Sequence, residues 1–311
     1  MAISRSQLLK ELLPGLNGLF GLSYKQYENQ HTEIFEVESS DRSFEEETKL
    51  VGFQAAPVKT EGSGITYDSA QESYTSRYVH ETIAMGFAIT EEAIEDNLYD
   101  SLSARYTKAL ARAMAYTKQV KAAAVLNNGF NGAIAVGGDG TTLFGNNSSS
   151  TRVGHPLANG SVNYNSPAVG VDLNETAIEA AVIQIQAWTD ERGLLVAAKP
   201  RKLVIPPAYQ FVAKRVLGSE NRVGTTDNDL NALKALGTIS SGYTINNFLT
   251  DTNAWFVLTD VPDGLKHFDR VGIKTAMEGD FETGNVRYKA RARYSFGYSD
   301  ALAIWGSPGS T

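Results

Sequence analysis

From Glu91 to Asn127 the chain contains neither glycine nor proline. Ile94, Leu98, Leu102, Tyr106, Leu110, Ala113, Thr117, Val120 and Ala124 recur there at three- and four-residue intervals, the spacing of one helix face. At 1.5 Å per residue this predicts a single rod of roughly 55 Å, longer than the usual globular helix. Thr90-Glu91-Glu92 supplies an N-cap and acid in the first turn.

What precedes the rod cannot build a core. Residues 51–79, VGFQAAPVKTEGSGITYDSAQESYTSRYV, are rich in glycine, serine and polar side chains. They still contain the strand formers Val51, Phe53, Ile65, Tyr67, Tyr74 and Tyr78 around a Gly62-Ser63-Gly64 turn. That pattern predicts a long projecting β-hairpin, which is marginal in isolation and needs a surface to rest on. Residues 36–50 are crowded with acid, including Glu45, Glu46 and Glu47. Leu8, Leu9, Leu12, Leu13 and Leu16 form one stripe over residues 6–20. Pro14, Gly15, Gly18 and Gly21 make that helix short and breakable, read either as a docking arm or as an ordinary core helix. From Val79 to Ile89 alternation predicts a strand with Val79, Ile83, Met85, Phe87 and Ile89 on one face.

Beyond the rod, residues 128–170 are low in complexity and rich in glycine and asparagine, which predicts exposed loop or weak hairpin. A second helix follows, with Asp172 or Asn174 as cap and Gly193 as its C-terminal glycine. Strands and short helices then alternate irregularly to the end. In a chain of 311 residues with 42% hydrophobic content this favours an α+β fold over a doubly wound sheet.

Chemistry finds little support. There is no cysteine, which removes disulfides and thiolate metal sites and fits a reducing cytosol. The glycine-rich VGGDGTT at 136–142 lacks the lysine of a phosphate loop and reads as a tight turn. TDNDLN at 226–231 lacks the glycine and glutamate of a calcium loop, leaving Asp227 or Asp229 as a helix cap. His31, His80, His155 and His267 show no ligand spacing. No nucleophile elbow occurs, so neither a catalytic centre nor a cofactor site is expected. No run approaches the roughly 18 apolar residues of a membrane span.

One charged pattern stands out. Arg287, Lys289, Arg291 and Arg293 occupy every second position of a strand-like segment, so all four share one face. The chain as a whole carries a net charge of -7, which argues against nucleic acid binding as its main activity. The row could hold nucleic acid, hold an acidic piece of protein, or be a solvated sheet face.

A set of motifs resembles tailed-phage major capsid proteins. They are Gly52-Phe53, then Glu61-Gly62 with Ile65 and Tyr67-Asp68, then the Gly86-Phe87-Ala88-Ile89-Thr90-Glu91-Glu92 junction. Pro206-Pro207-Ala208-Tyr209, Leu217-Gly218-Ser219, Asp227 to Asn231, Ala254-Trp255-Phe256 and the closing Tyr294-Ser295-Phe296-Gly297-Tyr298-Ser299-Asp300 follow in order. The resemblance implies the Hong Kong 97-type capsid fold, an α+β fold. It assigns an N-arm to 1–35, an extended E-loop hairpin to 36–89 and a P domain to 90–194, with its spine helix at 90–128 and the Gly/Asn-rich loop at 129–170. It assigns an A domain to 195–258 and P-domain return strands to 259–311.

It further implies self-assembly into hexamers and pentamers of an icosahedral head around double-stranded DNA, with portal and possible scaffold or decoration partners. Assembly would occur in the bacterial host cytoplasm. Inter-subunit contacts are then expected at Leu8 and Leu12, Glu45 to Glu47, Lys59, Glu61, Tyr67, Asp68 and Arg77, Asn221 and Arg222, and Arg287, Lys289, Arg291 and Arg293. Some members cross-link an E-loop lysine to a neighbour's asparagine; Lys59 is the position here, beside the plainer reading of a surface lysine. A nanocompartment shell of the same fold and a hydrolase with a scattered site are the other readings.

Overall fold

The computed structural model describes residues 5–90, 92, 99–133, 137–221, 229–280 and 284–310. In chain order the strands are β1 (Glu36–Ser39), β2 (Phe44–Val51), β3 (Gln71–Val79), β4 (Glu81–Ile89), β5 (His155–Pro156), β6 (Val162–Asn163), β7 (Pro200–Ile205), β8 (Tyr243–Ile245), β9 (Trp255–Thr259), β10 (Leu265–Gly279), β11 (Val286–Tyr298) and β12 (Ile304–Ser307). The helices are α1 (Arg5–Lys25), α2 (Tyr99–Asn127), α3 (Glu175–Gln186), α4 (Gln210–Gly218) and α5 (Ala232–Ala235).

A long sheet has the order β1-β10-β11-β4 and a second sheet the order β12-β9-β7-β8. In the long sheet β10, β11 and β4 are antiparallel neighbours and β1 joins β10 in parallel. Helices α1 and α2 cover one of its faces. Leu16 and Phe20 of α1, Leu110, Ala111 and Met114 of α2, and Tyr288, Ala290, Ala292 and Tyr294 of β11 form a common core. The second sheet is buried on both sides: Leu203, Ile205 and the Trp255–Trp305 pair share the face that packs with α3, while Val204 and Phe256 share the face that packs with α2. Strands covered on both faces read as continuous apolar runs rather than alternating ones, as in LVI at 203–205 and WFVL at 255–258.

Several expectations change here. Helix α1 runs for 21 residues with Pro14 inside it. Its C-terminal half docks on the chain's own α2 and β11, and burial of Leu16 and Phe20 outweighs the propensity cost of Pro14 and the glycines. The rod is described from Tyr99; positions 91 and 93–98 of its expected start lie outside the described residues. Alternation reverses at His80, where the chain leaves its pairing with β2 for pairing with β11. Tyr78 and His80 are therefore buried and Val79 is exposed, while Ile83 and Phe87 turn to the core. Helix α3 ends at Gln186, and Gly193 instead turns a tight hairpin with φ +86. Asn174 is the cap of α3, and Asn231 rather than Asp229 caps α5. The last strand, β12, pairs with β9 in the second sheet and does not extend the long one.

The largest correction concerns the described part of residues 129–170, which sends buried side chains into the core instead of lying exposed throughout. Leu143 and Phe144 are fully buried, and Phe144 stacks between Phe130 and Phe256 at 4.5 and 5.3 Å. The glycines allow this close approach. A Cβ on Gly145 would meet the Val153 carbonyl oxygen at 2.5 Å, and one on Gly129 the Phe144 ring at 2.5 Å. Asparagines supply the hydrogen bonds that strands would otherwise provide. Asn165 Nδ2 donates to the carbonyls of Leu143, Ala301 and Ile304 at 2.7, 3.0 and 3.1 Å, and its Oδ1 accepts from Gly145 N at 2.9 Å. The 137–142 segment is the expected tight turn, closed by Gly137 N to Thr141 O at 2.6 Å.

Two glycine substitutions separate close packing from chain flexibility. Gly145→Ala should lower stability by about 1–3 kcal/mol through overpacking. Gly15→Ala, in open space on α1, should raise it by about 0.5–1 kcal/mol. Chemical denaturation midpoints with unchanged m-values check both.

Candidate assembly surfaces

Residues 52–70, between β2 and β3, are all exposed, with Val58 at 93% and Tyr67 at 91%. Phe53 and Ile65 are exposed with them, so four large apolar side chains are left mostly uncovered. The root of this loop is nevertheless fixed. Arg192 Nε donates to Gly52 O at 3.2 Å and its Nη2 to Ser69 O at 3.1 Å. Asp68 accepts from Gln54 N at 2.9 Å and from Ser69 N at 2.8 Å. Those two backbone hydrogen bonds, the Gln54 one foremost, hold its carboxyl below the usual range. Arg192 is itself set by the 189–195 hairpin, where Asp190 Oδ1 accepts from the amides of Arg192 and Leu194.

Strands β2 and β3 dock on the body through buried polar contacts. Glu47 pairs with Lys266 and accepts from Ser299 Oγ; Lys266 also lies 3.0 Å from Glu38 and 3.0 Å from Asp263. Burial opposes the charge on Lys266, but hydrogen bonds to Glu47, Asp263 and Glu38 outweigh it and raise its pKa above the ordinary lysine value. Tyr74 Oη donates to Ser299 O at 3.1 Å, and Tyr78 Oη lies 2.5 Å from Ser299 Oγ. Lys49 reaches Asp300 at 2.9 Å and Glu191 at 3.6 Å. The hairpin base thus rests on its own chain, and only the distal loop stands free of it.

The acidic triad is already engaged within the subunit. Glu45 accepts from Ser40 Oγ at 2.7 Å and Glu46 lies 3.6 Å from Arg77, which also covers the Phe44 ring at 4.0 Å. Together with the Glu47 clasp this makes Glu45 to Glu47 and Arg77 parts of the hairpin's own framework. Of the loop's expected contact residues, Lys59, Glu61 and Tyr67 are exposed, and Asp68 is a root residue. Asn221 bridges to Leu230. Arg222 and the side chains of Leu8 and Leu12 lie outside the described residues.

The basic row occupies the open face of the long sheet. Arg287, Lys289 and Arg291 are exposed and Arg293 is half-buried. Beside them β4 presents only Thr82, Ala84, Gly86 and Ala88, and a Cβ on Gly86 would meet Tyr288 O at 2.6 Å. Arg287 is matched by Asp280 at 2.5 Å. Arg291, however, stands directly across from Lys274, with Lys289 and Arg293 two residues away on either side. Like charges directly opposite on a sheet are destabilising, so this face favours an external anion.

A buried node that sequence reasoning missed lies under α2. His31 and His267, far apart in the chain, meet edge to face at 5.3 Å, and His267 stacks on Phe296 at 4.3 Å. Gln119 serves His31 with a 2.9 Å contact to Nδ1, whereas both ring nitrogens of His267 lack a hydrogen-bond partner among the described residues. Burial, then Lys118, lowers His31 to about 4, against the Gln119 hydrogen bond; burial, Lys118 and His31 lower His267 to about 3. His155 is held differently, with Nδ1 2.6 Å from Asp139 Oδ2 and Nε2 3.2 Å from Leu143 O. Among the described residues no His, Asp and Glu group is arranged to hold a metal ion, and no helix is long and apolar enough to cross a membrane.

Two outcomes follow from these buried groups. Lys266→Met leaves three carboxylates together and should cost about 2–3 kcal/mol in a denaturation experiment, below the range for a fully buried pair because Glu38 and Asp263 are partly exposed. The depressed histidines are neutral when folded and protonate near 6.5 when unfolded. Stability is therefore lost as pH falls below about 6.5, by up to about 2 kcal/mol per histidine at pH 5. His267→Phe should flatten the thermal midpoint between pH 7.5 and 5; an unchanged slope would contradict this account of the node.

A sequence model of the family described as phage capsid protein matches residues 73–306. Among solved structures the chain is similar to the virus-like particle from Pyrococcus furiosus, at 10% identity, TM-score 0.53, and 96% and 99% coverage of the two chains. It is similar to the capsid of the empty GTA particle at 14% identity, TM-score 0.56, and 92% and 91% coverage. It is also similar to the capsid of cyanophage P-SCSP1u at 11% identity, TM-score 0.53, and 88% and 85% coverage. No curated protein sequence matches the chain.

Proposed function

The chain belongs to the phage capsid protein family and is a structural subunit of the head shell; from that premise we propose how one copy engages the next. Helix α1 with residues to 35 acts as the N-arm, 36–89 as the E-loop hairpin, and α2 with the long sheet as the P domain. Residues 195–258, with β7, β8, β9, α4 and α5, act as the A domain, while α3 belongs to the P domain and 259–311 return to it. Copies join as hexamers and pentamers of an icosahedral shell around double-stranded DNA, within the host cytoplasm and with a portal at one vertex. The nanocompartment alternative rests on likeness of fold alone, whereas the family match favours a phage head.

The observation that carries the contact is the exposed loop of residues 52–70. Covering Phe53, Val58, Ile65 and Tyr67 with a neighbour's surface is worth roughly 1.5–3 kcal/mol for each side chain fully buried. The free acid at the loop tip is Glu61, since Glu45 and Glu47 are held in the subunit. Its complement is the face of Lys274, Lys289 and Arg291 on the next copy. Small residues on β4 leave a shelf beside that face on which an extended segment can lie. Charge matching of this kind fixes register and partner more than it adds affinity.

Negative-stain microscopy of purified protein tests the shell reading: closed particles are expected, and a strictly monomeric protein under all conditions would count against it. For the contact, Lys289→Glu with Arg291→Glu should yield a folded subunit that does not form particles. Glu61→Lys in that background should restore part of the yield. Normal assembly of the Lys289/Arg291 double variant would remove the proposed contact while leaving the shell function standing.

A further inference from the structure

Helix α2 carries a second positive surface, on the other side of the molecule from the β11 row. Between Ser101 and Asn127 it has no aspartate or glutamate, but it has Arg105, Lys108, Arg112, Lys118 and Lys121. Two of these serve the subunit: Lys121 pairs with Glu81, and Lys118 lies over the Tyr294 ring at 5.2 Å. Arg105, Lys108 and Arg112 are exposed and form no ion pair with a described side chain. Intervals of three and four residues put them on one helix face. Tyr116, 54% exposed, continues the line by another turn. Lys108, Ala109, Arg112, Ala113 and Tyr116 line a shallow open groove. The opposite face, through Leu110, Ala111 and Met114, packs on α1 and the long sheet.

We infer that this face of α2 is the surface on which the phosphate backbone of double-stranded DNA rests, and hence that it faces the interior; the inference builds on the shell reading above. From Arg105 to Arg112 the helix advances roughly 10.5 Å, a length over which a duplex presents about six phosphates. Ala109 and Ala113 between the cations let a backbone approach closely, and the stretch from Ser101 to Asn127 adds no acidic repulsion. The groove is shallow and has no apolar anchor besides Tyr116, which suits a uniformly charged polymer better than a folded acidic segment. Three cations without base-reading side chains give salt-dependent, sequence-independent contact, which is what an interior lining requires. The β11 face differs, since Arg287 is neutralised by Asp280 and a small-residue shelf adjoins the row.

The test uses full-length unassembled protein and a labelled 30-bp duplex, with binding followed by fluorescence anisotropy between 50 and 200 mM NaCl. Lys108→Gln with Arg112→Gln should weaken binding roughly tenfold or more at low salt and reduce the slope of log K against log salt by about 1.8, two phosphates at about 0.9 each. The charge-conserving pair Lys108→Arg with Arg112→Lys should bind as wild type, which separates charge from folding. Lys289→Gln with Arg291→Gln should leave DNA affinity unchanged, and the Lys108/Arg112 glutamine variant should still form particles. The inference is overturned if wild type does not bind the duplex, or if the glutamine variant at 108 and 112 binds it normally. It is also overturned if the loss occurs at Lys289 and Arg291 instead, or if the 108/112 variant fails to assemble while still binding DNA, which would make the face an acidic-protein contact. Because binding is read on unassembled protein, failure of the shell reading appears separately, as the absence of particles from wild type.

Discussion

The structure depends on a loop that its own chain cannot cover. Residues 52–70 leave the body as an extended double segment with Phe53, Val58, Ile65 and Tyr67 in solvent, while Arg192 and Asp68 fix the root that aims it. Loose apolar loops usually collapse onto their own core. Here the base is held by the buried Glu47–Lys266 clasp and by Tyr74 and Tyr78 on Ser299, and the distal part has no core within reach. A root fixed by hydrogen bonds with an exposed tip is the arrangement that the proposed contact with a second copy requires.

The rest of the molecule presents complementary surfaces at fixed orientation. One core locks α1, α2 and the long sheet into a slab. On one side lies the sheet face with Lys274 directly opposite Arg291; on the other lies the acid-free side of α2. Two positive faces on an acidic chain therefore need not share a partner. The sheet face, flanked by the small side chains of β4, suits an extended segment of the next subunit, and the helix face suits a polymer of phosphates.

Local signals in the sequence revealed the elements that depend on neighbours in the chain. The rod, a cap at Asp172 or Asn174 and the shared face of Arg287 to Arg293 follow from periodicity or turn chemistry. A hairpin was also legible, but its strands are Phe44–Val51 and Gln71–Val79, and the expected strand formers Phe53, Ile65 and Tyr67 lie in the irregular loop between them. What was hidden depends on distant partners. Residues 129–170 read as loop because glycine and asparagine signal turns. Yet Gly129 and Gly145 are there to admit Phe144 and the Val153 backbone, and Asn165 bonds to three carbonyls. Glu47 looked free for a neighbour because nothing local marks Lys266 as its partner. The His31–His267 pair had no spacing to show, because the turn at residues 30–33 and β10 bring the rings together only in the folded chain. The reversal at His80 was likewise invisible, since alternation does not announce a change of pairing strand.

The central claim is that the exposed loop is completed by another copy of the chain. Replacing residues 55–66 by a short Gly-Ser turn keeps Gly52, Asp68 and Ser69, and so keeps the root bonds to Arg192. Sedimentation velocity on this variant beside wild type measures the claim directly. The account predicts closed particles for wild type and a folded, slowly sedimenting subunit for the truncated chain. Particles formed by the truncated chain with wild-type yield and stability would contradict it.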